Sequence, residues 1–127
     1  MKNGKYLILC VDDDGDILEA LRLRLEKAGY LTATALSAEE GLKKFKETQP
    51  DLVIADLMME EIDSGTGLVK ELKLAGNRAP VLLLSSLGDS LTISASTREL
   101  GLDAVFQKPV NFEAMLKTIR AKLGQAG

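Results

Sequence analysis

The stretch YLILCVDDDGDIL, residues 6–18, sets an unbroken apolar run directly against Asp12, Asp13, Asp14 and Asp16. A run without apolar–polar alternation fits a strand covered on both faces, the usual condition of a parallel sheet flanked by helices. Behind the acids, Ile17, Leu18, Leu21, Leu25 and Ala28 recur at helical spacing and stop at Gly29. The stretch is therefore one strand, one acidic turn and one helix start. It raises the question of why so many carboxylates crowd together. A solvated turn tolerates them, a metal site needs them, and a phosphoryl-accepting nucleophile could stand among them.

The same pattern repeats outward along the chain. Strands are expected at residues 5–11, 30–36, 51–55, 80–84 and 103–107. A second helix opens with the capping box Ser37-Ala-Glu-Glu40 and is closed by Pro50. A third runs from about Thr66 to Ala75 and ends at Gly76-Asn77, and a fourth lies near 90–100. The fifth follows Asn111 as N-cap and places Phe112, Met115, Leu116, Ile119 and Leu123 on one stripe. This is a (βα)5 chain of the α/β class. "LILCV", "LVIA" and "VLLL" belong inside the sheet, whereas "YLTATAL" alternates and suits an edge strand.

The sequence has 127 residues, which predicts a single domain, 1–127, with no room for an output domain after residue 123. The net charge of -3 lacks the basic surplus of nucleic-acid binding, so no direct nucleic-acid contact is expected. The apolar run Tyr6–Val11 is far too short for a membrane span or a signal-peptide core. A cytoplasmic location without membrane insertion is expected. Cys10 is the sole cysteine and there is no histidine, which rules out an intramolecular disulfide and removes the commonest zinc ligands. Cys10 reads as a small buried hydrophobe.

The polar residues fall in one place. Asp12 and Asp13 follow the first strand, Asp56 the third, Ser85 the fourth and Lys108 the fifth. In a parallel sheet these positions share the carboxyl edge, where open α/β sheets bind ligands. Strands lie about 4.8 Å apart, so acids from neighbouring strands come within roughly 5 Å. At an effective dielectric of about 20, each such like-charged pair costs about 3 kcal/mol. A cluster of this kind calls for a cation, and beyond Lys108 a hard divalent ion such as magnesium suits carboxylates, a carbonyl and waters. A calcium loop counted from Asp12 fails, because Ile17 takes the glycine position and Leu23 the closing glutamate position. Helix capping alone accounts for Asp14 and Asp16, but not for the coincidence at four strand ends.

Together "ILCVDDD", "PDLVIADLMM", "APVLLLSSLGD" and "VFQKPV" resemble the receiver domain of two-component response regulators over nearly the whole chain. The resemblance implies a flavodoxin-like three-layer sandwich with a five-stranded parallel sheet in order 2-1-3-4-5. It implies a signalling switch rather than an enzyme, with Asp56 accepting a phosphoryl group from a sensor histidine kinase or phosphotransfer protein and an unknown downstream protein as partner. Asp13, Asp56 and the backbone carbonyl of Met58 would bind Mg2+, and Asp12 would help through a water. Lys108 and Ser85 would contact the phosphoryl group, and Lys108–Pro109 would be a cis peptide. Met58 and Leu87, both apolar, would make self-dephosphorylation slow.

Three departures accompany the match. The loop after Asp56 reads "MEEIDSGTG" without the family's proline, which leaves the path of residues 60–66 open. Its "GTG" at 65–67 lacks the Lys-Ser/Thr of a phosphate loop. Val105 stands where the family has a Tyr or Phe, and the adjacent Phe106 falls on the other face by strand alternation. "VDDDGDIL" also resembles the signature of haloacid-dehalogenase-type phosphatases, with Asp12 as nucleophile, but Asp16 occupies the threonine position and no acidic pair follows Lys108. A pseudo-receiver that binds partners without phosphorylation is the other rival. A stand-alone receiver and a fragment of a longer protein are equally compatible with the sequence.

Overall fold

The computed structural model describes residues 4–56, 71–85, 104–107 and 110–124. Its strands are β1 (Leu7–Val11), β2 (Leu31–Ala35), β3 (Leu52–Asp56), β4 (Val81–Ser85) and β5 (Ala104–Gln107). They form one parallel sheet in the order β2-β1-β3-β4-β5. Every residue of β1 and β3 is buried, as continuous apolar runs covered on both faces must be. β2, whose sequence alternates, is only partly buried and lies at the edge. Asp56 and Ser85 are the last residues of their strands rather than the first residues beyond them. That one-residue difference does not move them from the carboxyl edge.

Side-chain alternation splits the strands into two cores. Leu9, Val11, Val53, Ala55 and Leu83 point to one face, where they meet Phe45 of helix α2 (Ala38–Thr48) and Leu72. Ile8, Cys10, Ile54, Leu82 and Leu84 point to the other, against helices α1 (Gly15–Lys27) and α3 (Phe112–Lys122). Leu21 and Leu25 of α1 and Met115 and Ile119 of α3 are buried there, each contributing about 2 kcal/mol of apolar burial. Phe106 packs on this second face, opposite in register to Leu84, as alternation required. The Arg24 guanidinium lies 5.1 Å from the Phe112 ring centroid and ties α1 to α3.

Local chemistry sets the helix ends. Asp14 caps α1, Ser37 caps α2 and Asn111 caps α3, each accepting a main-chain N–H from the first turn. Glu40 reaches back to Leu36 N at 3.4 Å rather than to Ser37 N, so the second half of the expected capping box lands one residue early. Gly29, at φ 97°, closes α1 with bonds from Gly29 N to Glu26 O and Tyr30 N to Leu25 O. The helical residues 71–74 end the same way at Gly76, matching the expected stop at Gly76-Asn77. The helix expected near 90–100 and the loop 60–66 lie outside the described residues.

Candidate functional site

The end of β1 shows how the fold positions acid. Asp12 extends the strand by one bond, its N–H donating to Ala35 O at 3.1 Å, and is fully buried. Its Oδ1 accepts the Asp14 N–H at 2.9 Å, which fixes the carboxylate as the chain turns into α1. The next residue, Asp13, is exposed. Asp14 spends its own side chain on the Asp16 N–H at 2.9 Å, so the last two acids of the run belong to the helix start. Asp56, at the end of the adjacent β3, is 2% exposed.

The structure brings Asp12, Asp13 and Asp56 together, with one carboxylate oxygen from each within 4.8 Å of the others. At an effective dielectric of about 20, each pair at this separation repels by about 3 kcal/mol. The donor set is three hard oxygens from two neighbouring strands, which fits a small hard divalent cation such as Mg2+. Cys10 does not join it: burial first, and the Asp12 charge second, push its thiol up to about 12, so it stays protonated and faces the apolar core.

Of the other expected site residues, Ser85 ends β4, one step beyond the Asp56–Leu84 register pair, and pairs with Gln107 on β5. Its backbone therefore sits at the same sheet edge as the acids. Lys108, Pro109, Met58 and Leu87 lie outside the described residues. The sequence did not show how unequal the acids are. The signal available was register: Asp12 continues a wholly buried strand, whereas Asp13 is the first residue past it.

A family model described as the response regulator receiver domain matches residues 8–120. The chain belongs to that family. The receiver is 30% identical to the structure of a response regulator receiver domain protein from Clostridium thermocellum, with a TM-score of 0.86 and 94% of each chain covered. It is 33% identical to a CheY-like receiver domain protein from Methanospirillum hungatei, with a TM-score of 0.85 and 95% of each chain covered. Among curated relatives, a probable transcriptional regulator, ycf27, of Guillardia theta is 36% identical over 94% of this chain and 46% of its own length. The transcriptional regulatory protein AfsQ1 of Streptomyces coelicolor is 34% identical over 91% of this chain and 50% of its own. The chain spans about half the length of these relatives. Among the described residues, no helix is long and apolar enough to cross a membrane.

Proposed function

We propose that this receiver accepts a phosphoryl group on Asp56 from the phosphohistidine of a sensor histidine kinase or phosphotransfer protein and thereby switches the binding of a downstream protein. The observation that carries this reading is the convergence of Asp12, Asp13 and Asp56 within 4.8 Å at the carboxyl edge of the sheet. In the transfer, a carboxylate oxygen of Asp56 bonds to phosphorus as the phosphorus–nitrogen bond breaks. The imidazole leaves with that electron pair and is protonated from solvent. Such a reaction depends on an aligned nucleophile and on compensation of the phosphoryl charge more than on a general base.

Asp13, Asp56 and the Met58 carbonyl would hold an Mg2+ ion, with Asp12 acting through a water, and the ion would supply part of that compensation. Lys108 supplies the remaining positive charge, and the Ser85 hydroxyl donates to a phosphoryl oxygen. The buried setting of Asp56 keeps water from competing for charged groups, which strengthens every such interaction. Mass spectrometry after incubation with acetyl phosphate and magnesium, mapping the labelled residue, tests the reading. Label on Asp56 that depends on a divalent ion is expected, whereas label on Asp12 with Asp56 silent supports the phosphatase chemistry instead. No label under any donor supports a pure interaction module.

A further inference from the structure

The outer edge of β2 carries no strand among the described residues. Among the described residues its one strand neighbour is β1, and the register from Leu7↔Leu31 to Val11↔Ala35 runs without a bulge. Leu31 N donates to Tyr6 O and Ala35 O accepts from Asp12 N, so residues 31, 33 and 35 turn their peptide groups toward β1. By alternation Thr32 and Thr34 turn theirs toward the open edge. Edge strands are commonly blunted by lysine, proline or a bulge, because unpaired peptide groups template another strand. LTATA carries none of these, and only its shortness restrains it.

We propose that two copies of this chain pair through β2, antiparallel and about a two-fold axis at Ala33. That axis sets Thr32 opposite Thr34 of the second copy, and Thr34 opposite Thr32 of the second copy. Both members of each pair direct their peptide groups into the seam, the arrangement in which antiparallel neighbours exchange two N–H···O bonds. A one-residue slip would oppose an outward-facing residue to an inward-facing one. The edge is thus self-complementary in register, as a two-fold interface requires.

The side chains agree. Thr32 Oγ1 donates to Glu26 Oε2 at 2.9 Å, which places Thr32, and Thr34 with it, on the α1 face, so threonines meet threonines along the strand. Leu36, immediately after β2, is 52% exposed. Leu23, three residues before Glu26 and on the same side of α1, is 55% exposed. A charged peptide would find no charge on this strand to recognise, whereas a second copy brings matching threonines and two apolar flanks. No acid of the metal-competent cluster lies in the seam, so the proposal stands apart from phosphoryl transfer.

Sedimentation across rising protein concentration, without a phosphoryl donor, combined with residue-resolved hydrogen exchange, tests it. A monomer–dimer equilibrium is expected in which the Thr32 and Thr34 amides slow as dimer forms, while the amides of residues 31, 33 and 35 do not change. Thr34→Pro removes two seam bonds and spares those to β1, and it should weaken the dimer about tenfold or more. Leu23→Glu probes the flank without touching the strand and should weaken it in the same direction, so a folding defect in the proline variant would not spare the proposal. A wild-type protein that stays monomeric overturns it. So does a dimer whose Thr32 and Thr34 amides exchange as in the monomer, or one indifferent to both variants. Slowing of these amides only on adding a neutral extended peptide would assign the edge to another partner and overturn it as well.

Discussion

Asp51 and Asp56 stand at opposite ends of β3 and meet opposite fates. Asp51 precedes the strand, its Oδ2 accepting the Leu7 N–H at 2.8 Å while its own N–H donates to Leu7 O at 2.8 Å. Its charge closes the amino end of the β1–β3 pairing and so supports the fold. Asp56 ends the strand almost without solvent, with a carboxylate oxygen within 4.8 Å of two others. Its charge adds to a cluster whose carboxylates repel one another. Identical side chains at the two ends of β3 thus separate into an acid that closes strand pairing and an acid of the metal-competent cluster, and the difference lies in what surrounds each carboxylate rather than in the residue.

The largest effect that could break this contrast is on labelling. Asp56→Asn removes the proposed phosphoryl acceptor and should abolish phosphoryl incorporation from acetyl phosphate, whereas Asp51→Asn should label at close to the wild-type rate. Loss of label in both variants would mean that the two ends are not chemically distinct. Autoradiography or intact-mass analysis of the two variants side by side decides it.

Between the two ends β1 and β3 are uncharged and wholly buried, and Cys10 reports the effect of that burial. Its thiol is pushed from an ordinary 9.0 up to about 12, chiefly by burial. Above pH 9 the unfolded chain gives up this proton while the folded chain keeps it. The stabilising contribution is therefore complete below about 9 and is lost as pH rises toward 12, by about 4 kcal/mol in all. Urea denaturation at a series of alkaline pH values should show a steeper loss of stability in the wild type than in Cys10→Ala with metal chelated throughout. Equal slopes would mean that burial does not hold the Cys10 thiol protonated.

The contrast also predicts opposite signs in stability. Asp51→Ala leaves the Leu7 N–H without its acceptor and should cost about 2 kcal/mol. Asp56→Asn removes like-charge repulsion and, without divalent ions, should be neutral or stabilising by about 1 kcal/mol, an advantage that magnesium should erase by neutralising the wild-type cluster. Destabilisation by both substitutions in chelator would refute the view that repulsion within the cluster dominates the contribution of Asp56.

Much of this was legible in the sequence. The five strands, their parallel pairing, the edge position of β2 and the caps at Ser37 and Asn111 followed from periodicity and turn chemistry, which act over a few residues. The gathering of Asp12, Asp13 and Asp56 followed from their positions at the ends of strands one and three. What the sequence withheld was tertiary. Nothing near Asp51 announces that its partner is Leu7, because that bond joins residues far apart in the chain. Likewise the burial of Asp12 beside the exposure of Asp13 depends on which residue is the last to pair with β2, a boundary that local patterns leave open by a residue or two.

The smallest effect concerns the acidic run itself, where the same division recurs over a few residues. Asp12 and Asp13 face the cluster, whereas Asp14 is the N-cap of α1, with β-region backbone and its Oδ1 on the Asp16 N–H. Asp14→Ala should then cost about 1 kcal/mol, the usual loss of a capping oxygen, and Asp14→Ser should recover most of it. Neither change touches the main-chain N–H of Asp14, which still orients the Asp12 carboxylate. Phosphoryl labelling and its dependence on magnesium should therefore match the wild type in both variants. Chemical denaturation measures the first expectation and a magnesium titration of the labelling rate measures the second. A shifted magnesium requirement in Asp14→Ser, with stability restored, would place Asp14 in the cluster and extend the cluster one residue along the chain.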